Sequence, residues 1–152
     1  MTTGLYIHIP FCKQKCNYCD FASFAGRENL ISAYLEALDK SASVSPARKY
    51  TTLYIGGGKP SLLAAGQLDG LCGLIVRHFG PVSHFEESTI EANPESLTAE
   101  KLSVLKRAGF SRISMGLQCF NDTELKTLGR VHTVQTFLSA YQAARQAGFD
   151  NI

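Results

Sequence analysis

Short apolar runs alternate with amphipathic stretches along the 152-residue chain. The runs predict strands, and apolar residues three or four positions apart predict helices with one buried face. The predicted strands lie at 5–9, 53–55, 88–92 and 110–117, and a further strand begins at 149–152. The helical faces carry Leu30, Ile31, Tyr34, Leu35 and Leu38; then Leu68, Leu71, Ile75 and Phe79; then Leu102 and Leu105; and finally Val134, Phe137, Leu138 and Tyr141. Alternation of strand and helix is typical of parallel βαβ units.

Cap residues mark the ends of several predicted helices. Thr98 is placed to cap the third helix, and Gly109 is placed to end it. Asn121, followed by Glu124 three residues later, predicts the start of a short helix over 121–128. These caps support the boundaries that the apolar spacing indicates.

Composition and charge narrow the class of protein. At 152 residues, 45% hydrophobic content is enough for one buried core. A formal charge of +2 without a basic cluster gives no case for binding nucleic acid or a membrane surface. The longest apolar stretch, 71–76, is far shorter than the about 20 residues of a membrane span, so none is expected. Met1 leads almost directly into a predicted strand without a leader, and five cysteines then indicate reduced thiols or metal ligands in a cytoplasmic protein.

Three cysteines, Cys12, Cys16 and Cys19, form a C-x3-C-x2-C loop after the first predicted strand. Three thiolates on one short loop can bind three irons of a [4Fe-4S] cubane and leave the fourth iron without a protein ligand. Structural zinc needs four ligands, so one alternative is a zinc site that takes His8 as its fourth ligand. Three unrelated thiols are the other alternative. Outside a zinc site, His8 is expected to be an internal, hydrogen-bonded histidine.

Other side chains receive simpler interpretations. Lys13 and Lys15 lie within the cysteine loop and would help to keep its thiolates ionised. Cys72 lies on an apolar helical face and is expected in the core. Cys119 is interpreted as a free thiol and not as a cluster ligand. His132 has no partner at metal-ligand spacing.

Five sequence blocks fall at or after the predicted strands. They are YIHIPFC at 6–12 with Cys16, Tyr18 and Cys19, YIGGGKPS at 54–61, IEANPE at 90–95, ISMGLQ at 113–118 and LGRVH at 128–132. In this order they resemble the motifs of the radical-SAM superfamily and, within it, the oxygen-independent coproporphyrinogen III oxidase-like family. Phe21 stands where the oxidases of that family carry a further cysteine, so the resemblance favours the HemW-like, haem-chaperone branch.

The resemblance implies the fold and the extent of the domain. It implies an α/β fold, namely the N-terminal part of a partial TIM-type (β/α)6 barrel with parallel strands. Residues 1–152 would then be a truncated radical-SAM core with about four β/α units and the start of a fifth strand. Ala108-Gly109-Phe110 and Ala147-Gly148-Phe149 support this repetition, since each would end a helix and begin a strand. A barrel cut at this point is expected to turn over little or no substrate alone.

The resemblance also implies cofactors and partners. Cys12, Cys16 and Cys19 would hold a [4Fe-4S] cluster, and the amino and carboxylate groups of S-adenosyl-L-methionine would chelate its open iron. In the family, an electron from the reduced cluster cleaves this cofactor to methionine and a 5′-deoxyadenosyl radical. An electron-donor protein and haem or a porphyrinogen would be the further partners.

The glycine block would form one wall of the cofactor site. Gly57 and Gly58 let the backbone approach a ligand without a Cβ atom, so their carbonyls would receive the ammonium group of the cofactor. A tight turn between strand and helix is the alternative role for these glycines. Lys59 stands where the family usually has threonine. A cation near a sulfonium is unfavourable unless the lysine points to solvent.

Five further residues would contact the cofactor by resemblance. Tyr6 and Tyr18 flank the cysteine loop and match ligand-contacting aromatic residues of the family, although simple packing is the alternative. Glu91 would contact S-adenosylmethionine at the end of an apolar strand. Gln118 offers a donor and an acceptor for the ribose hydroxyls, and Arg130 offers a fork for a carboxylate.

These implications lead to three functional hypotheses. The first is a HemW-like iron-sulfur protein that binds S-adenosylmethionine and acts in haem handling or porphyrin metabolism. The second is an oxygen-independent coproporphyrinogen III oxidase, an oxidoreductase that would act by radical hydrogen abstraction. The third is an inactive truncated fragment or a zinc-binding module.

Overall fold

The computed structural model, which describes residues 3–46 and 48–152, alternates strands and helices along the chain. The strands are β1 (Gly4–Ile9), β2 (Phe11–Cys12), β3 (Phe24–Ala25), β4 (Thr52–Gly57), β5 (Glu87–Ala92) and β6 (Arg112–Met115). The helices are α1 (Ile31–Ser43), α2 (Ala65–Phe79), α3 (Ala99–Ala108), α4 (Asp122–Thr127) and α5 (Val134–Gln146). This order confirms the alternation that the apolar pattern predicts.

Four strands form one parallel sheet in the order β1, β4, β5, β6. Tyr6 pairs with Tyr54 across the first two strands, and Ile90 pairs with both Ile55 and Ile113 across the others. A separate parallel pair, β2 with β3, follows β1. Because the four strands run in one direction, the loops at their carboxyl ends meet at the same edge of the sheet.

The two faces of the sheet differ in chemistry because side chains alternate along each strand. One face carries buried residues that pack against the helices, among them Ile7, Ile9, Leu53, Ile55, Ile90 and Ile113. The opposite face carries Tyr6, Tyr54, Glu91 and Ser114, none of which is buried. Helices cover the apolar face, which leaves the polar face open towards the site. Within residues 3–46 and 48–152, no helix is both long enough and apolar enough to cross a membrane.

The predicted caps are confirmed. Thr98 Oγ1 accepts a hydrogen bond from the Lys101 N–H at 3.3 Å, and α3 ends at Gly109 in the left-handed conformation. Asn121 Oδ1 accepts from the N–H groups of Thr123 and Glu124 at 2.9 and 3.2 Å at the start of α4. These bonds satisfy backbone donors that a helix start otherwise leaves without partners.

The structure corrects two features of the apolar pattern. The strand predicted at 110–117 is shorter, because β6 ends at Met115 and the chain then turns through Gln118 at a φ of 79°. On α5, Leu138 and Tyr141 are exposed rather than inward, and the buried residues are Ala140 and Ala144. Val134 and Phe137 of the same predicted face are half-buried. Small side chains allow this helix to approach its neighbours closely, so Leu138 and Tyr141 lie towards its outer side.

The repeated Ala-Gly-Phe segments have the same structure. Gly109 and Gly148 have positive φ angles of 99° and 87°, and Phe110 and Phe149 are both buried. After the second segment, Asn151 forms a parallel bridge with Arg112 in β6, and the Ile113 N–H donates to the Asn151 carbonyl at 3.1 Å. The sheet therefore continues beyond β6 at the position where the sequence predicts the start of a further strand.

Cys72 offers a test of this core. Its side chain is buried on α2, and burial raises the pKa of the thiol from 9.0 to about 11. A shift of this size lowers the thiolate fraction roughly 100-fold at pH values below 9. We expect iodoacetamide at pH 8 to label Cys72 far more slowly in the folded protein than in urea, as peptide mass spectrometry would measure. Equal rates in the two states would contradict the burial of Cys72.

Candidate functional site

A cavity of about 350 Å³ lies at the carboxyl ends of the parallel strands. Ten of the residues that the sequence indicates line it, namely Cys12, Cys16, Tyr18, Cys19, Gly57, Gly58, Lys59, Glu91, Gln118 and Arg130. Tyr6 does not line the cavity. Its hydroxyl donates to His8 Nδ1 at 3.0 Å, and its ring stacks on the ring of Tyr54 with 6.1 Å between the ring centroids. The fold therefore brings together side chains that are up to 118 positions apart in the printed sequence, from Cys12 to Arg130.

The cysteine loop is fastened to a distant part of the chain. The Asn17 N–H donates to the Leu128 carbonyl at 3.0 Å, and Asn17 Nδ2 donates to the Thr127 carbonyl at 2.9 Å. Gly129 lies against this asparagine, since a Cβ atom at Gly129 would be 3.0 Å from Asn17 Oδ1. Gln14 adds a longer hydrogen bond to the Gly129 carbonyl at 3.4 Å. The segment that follows α4 thus sets the position of the cysteine loop.

The three cysteines of the loop are free thiols with different environments. Cys12 is buried at the end of β2, whereas Cys16 and Cys19 are partly exposed. Burial raises the pKa of the Cys12 thiol, while a hydrogen bond with Ser23 and the positive charge of Lys59 oppose that rise. The cation that acts on Cys12 is therefore Lys59.

Cations other than the two lysines of the loop also lie close to its thiols. Lys15 directs its ammonium group to the Phe21 carbonyl, with Nζ 3.3 Å from the oxygen. Lys59 is the cation that lowers the pKa of the Cys12 thiol. Arg130 supplies a second cation to the loop, since its Nη1 lies 3.7 Å from Cys16 Sγ. The fold thus brings two cations from distant parts of the chain, Lys59 and Arg130, to the thiols.

The three thiols have the chemistry that a cubane cluster requires of its protein ligands. Across residues 3–46 and 48–152, no three His, Cys, Asp or Glu side chains are arranged to hold one metal ion. A cubane makes no such demand, because each of its thiolate ligands binds a different iron. Both ring nitrogens of His8 have protein partners, since Nδ1 accepts from the Tyr6 hydroxyl at 3.0 Å and Nε2 donates to the Ala22 carbonyl at 2.7 Å. Three free thiols that line one cavity would suit a cubane with one open iron.

The glycine block has no room for side chains. Gly57 has a φ of 120°, and a Cβ atom there would lie 2.7 Å from the His8 ring. A Cβ atom at Gly58 would lie 2.7 Å from the Phe11 carbonyl oxygen and 3.0 Å from Cys12 Sγ. Both the tight turn and the close approach of backbone to the cysteine loop require glycine at these positions.

Glu91 supports the glycine block from the neighbouring strand. Its Oε1 accepts a hydrogen bond from the Tyr54 hydroxyl at 2.8 Å, and its Oε2 accepts from the Gly57 N–H at 3.1 Å. The carboxylate therefore holds the backbone that lines the cavity, and it also lines the cavity itself.

Lys59 is neither exposed nor free. Its side chain is buried, and Nζ forms an ion pair with Glu95 Oε1 at 2.5 Å. Burial alone would raise the pKa of the Glu95 carboxyl, but the hydrogen bond and charge of Lys59 lower it below its ordinary value. Exposure to solvent, the condition under which the sequence predicts that this cation is tolerated, is therefore not what accommodates it. The fold instead neutralises it with a carboxylate.

Arg130 and Gln118 lie together on the opposite wall. Arg130 Nη2 donates to the Gly116 carbonyl at 2.7 Å, whereas Nη1 of the same guanidinium group lies beside Cys16 Sγ. Gln118 is the one non-glycine residue with positive φ among the described residues. Such a conformation costs roughly 1 kcal/mol or more and is concentrated at functional sites.

Sequence reasoning missed two residues of this site. Glu95 and His132 each end a sequence block that resembles the family, but no partner close to them in the sequence indicates a role. The fold places His132 Nδ1 at 3.7 Å from Glu95 Oε2. One signal was available, because a lysine in an otherwise apolar and glycine-rich block implies a carboxylate elsewhere in the chain.

Comparisons with known proteins agree with this geometry. The family model described as "Radical SAM superfamily" matches residues 6–152. The protein named "Heme chaperone HemW" of Bacillus subtilis (strain 168) is 41% identical over 151 residues, which cover 97% of this chain and 40% of that protein. The protein of the same name from Escherichia coli (strain K12) is 40% identical over 150 residues, which cover 95% and 39%. The chain thus spans about two fifths of the length of these relatives.

A solved structure agrees with the fold. Coproporphyrinogen III oxidase (HemN) from Escherichia coli, a radical SAM enzyme, superposes with a TM-score of 0.86 at 30% identity. The match covers 98% of this chain and 35% of that one. It confirms the α/β class with parallel strands that the sequence predicts.

Proposed function

Because this chain belongs to the radical SAM superfamily, we propose that Cys12, Cys16 and Cys19 hold a [4Fe-4S] cluster and that the adjoining cavity binds S-adenosylmethionine. The observation that carries this proposal is the convergence of three free thiols and the glycine block on one cavity. When bound and reduced, the cluster supplies the electron that cleaves S-adenosylmethionine to methionine and a 5′-deoxyadenosyl radical.

The residues of this chain bind and orient the cofactor. Glu91 fixes the Gly57 N–H, so the glycine carbonyls have a defined direction for the ammonium group. Gln118, held in its strained conformation, presents its amide to the ribose hydroxyls. Arg130 bridges Gly116 and Cys16, so its main task is to fix the cysteine loop against the opposite wall. Tyr18 lines the cavity beside the thiols and would contact the cofactor, and Tyr6 would act only through Tyr54.

We expect S-adenosylmethionine to change the EPR spectrum of the reduced, reconstituted protein, because chelation alters the open iron. Adenosine is the matched control, since it fills the nucleoside part of the site but lacks the chelating amino and carboxylate groups. A Gln118→Ala variant should bind S-adenosylmethionine about 5–20-fold more weakly, because it loses the ribose contacts. At saturating S-adenosylmethionine its EPR spectrum should be the same as that of the parent. An unchanged spectrum at saturating cofactor, in protein with full iron content, would contradict the proposal.

We propose haem handling as the task of the protein to which this chain corresponds. Two relatives with about 40% identity are named haem chaperones. Phe21 supports the same branch, because an exposed phenyl ring lines the cavity where the oxidases have a further thiol. We further infer that it works in a reducing compartment such as the cytoplasm, since all five cysteines are free.

Porphyrinogen oxidation is the second candidate, and the structural likeness to the Escherichia coli oxidase favours it. Two anaerobic measurements separate the candidates. Haem titration followed by its Soret band would show saturable binding for a haem-handling protein. Incubation with reductant, S-adenosylmethionine and coproporphyrinogen would show decarboxylated product for an oxidase. Product formed over several turnovers would overturn the haem-handling proposal in favour of the oxidase.

A further inference from the structure

Two buried polar atoms face each other beside the cavity. Among the residues that the structure describes, Glu95 Oε2 and His132 Nδ1 are the buried side-chain atoms without a hydrogen-bond partner. They lie 3.7 Å apart, and the His132 side chain has no solvent exposure. Buried polar atoms of this kind are rare in folded proteins and call for an explanation. Neither residue has a role in the cofactor site proposed above.

Each of these residues connects to a different wall of the cavity. Glu95 Oε1 forms the ion pair with Lys59, which follows the glycine block and lines the cavity. His132 Nε2 lies 3.2 Å from the Leu117 carbonyl, which accepts the hydrogen bond, and Leu117 directly precedes Gln118. Polar side chains therefore link the loop after β4, the loop after β5 and the loop after β6, with the 3.7 Å approach of Glu95 Oε2 to His132 Nδ1 as the one link that is not a hydrogen bond.

Charge is the physical reason for this connection. A buried ammonium group without a partner is strongly unfavourable, and it would also repel a cationic ligand in the same cavity. S-adenosylmethionine carries a positive sulfonium. The ion pair of Lys59 with Glu95 has no net charge, and the Lys59 side chain still lines the cavity.

We propose that Lys59, Glu95 and His132 form a positioning relay of the cofactor site, in which Glu95 cancels the charge of Lys59 towards the sulfonium and His132 holds the turn that carries Gln118. This inference rests on the proposed binding of S-adenosylmethionine. It assigns Glu95 a role in the preference of the site for S-adenosylmethionine over an analogue without the sulfonium charge.

The charge part of the relay is tested by comparing two ligands. S-adenosylhomocysteine lacks the methyl group and the sulfonium charge, so the ratio of the two affinities reports the charge near the sulfur. We expect Glu95→Gln to lower the preference for S-adenosylmethionine about fivefold or more, and Lys59→Gln to raise it by a similar factor. The double variant, in which two amides replace the two charges, should return the ratio to within about twofold of the parent.

Asp69→Asn is the matched control. It also removes the carboxylate of an ion pair, but Asp69 pairs with Arg107 on the surface, so the ratio should not change. Affinities are measured on reconstituted protein with the iron content of the parent. Shifts of the same sign in the two single variants, or no shift in either, would overturn the charge role of Glu95.

The positioning part is tested with His132→Phe, which keeps a ring but removes both polar contacts. We expect weaker binding of both ligands by about tenfold with an unchanged ratio, because the Gln118 turn is released. Parental affinity for both ligands in a folded, cluster-loaded variant would overturn this role.

A measurement without any cofactor separates the relay from the proposed function. In urea unfolding of the cluster-free protein, Lys59→Gln and Glu95→Gln should each lower the midpoint, and the double variant should lower it by less than the sum of the two. Additive effects would overturn the relay itself. Coupled effects in a protein that binds no S-adenosylmethionine would instead overturn the proposed function and leave the ion pair as a structural contact.

Discussion

Replacement of Cys12, Cys16 or Cys19 by Ala is expected to abolish the brown chromophore that forms on anaerobic reconstitution. The parent should bind about four irons and four sulfides per chain, because the three thiols line one cavity and suit a cubane with one open iron. Loss of one ligand would leave two irons without protein ligands, and such a cluster would not be retained. Iron and sulfide analysis and the visible spectrum measure the result.

The other two cysteines provide matched controls for this experiment. Cys72 is buried on α2, and the Cys119 thiol lies outside the cavity lining and contacts the Asn121 carbonyl at 3.6 Å. Cys72→Ala and Cys119→Ala should therefore keep the full iron content. Stoichiometric zinc without iron uptake in the parent would contradict the assignment of the cluster.

Gly58→Ala should lower both the iron content and the stability of the protein, since this glycine touches the cysteine loop directly. The added methyl group would lie 2.7 Å from the Phe11 carbonyl oxygen and 3.0 Å from Cys12 Sγ, so backbone and ligand must move. We expect substoichiometric iron and a free energy of unfolding lower by about 1–3 kcal/mol, the usual cost of overpacking a rigid site. Urea unfolding and iron analysis measure both effects.

Gly70→Ala separates this effect from the general response of glycine to substitution. Gly70 lies within α2, and a Cβ atom there would meet no atom within 4 Å apart from its chain neighbours and the backbone of its own helix. Alanine at such a position should stabilise the helix by about 0.5–1 kcal/mol and leave the iron content unchanged. Full iron content in Gly58→Ala would show that the cysteine loop does not depend on this close approach.

The parts of the fold that depend on local physics could be predicted from the sequence. Thr98 and Asn121 act as caps because hydroxyl and amide oxygens near a helix start find backbone donors in almost any context. Gly109 and Gly148 end their helices because glycine accepts a positive φ without steric cost. The inner face of α5 could not be predicted in this way. Alanine is weakly apolar, and only the approach of neighbouring elements determines whether it is buried.

The candidate site also has features that the sequence predicts and contacts that only the fold determines. The cysteine spacing and the glycine block predict a ligand site because their chemistry lies within a few consecutive residues. The pairing of Lys59 with Glu95 joins residues 36 positions apart, and no periodicity specifies such a pair. The contact of Arg130 with Cys16 spans 114 positions. A charged side chain can be identified from sequence, but the partner that satisfies it is determined by topology.

The attachment of the cysteine loop to the segment after α4 has a consequence for the order of folding. Asn17 contacts the backbone at Thr127 and Leu128, more than 100 positions away, and the intervening chain contains three of the four sheet strands. Contacts between such distant residues form slowly, because a long loop must close before they can be made. The loop should therefore reach its final position only after the sheet has assembled. Iron delivered during synthesis would meet three thiols on a loop that is not yet held in place, whereas iron delivered after folding would meet three thiols already fixed at the cavity.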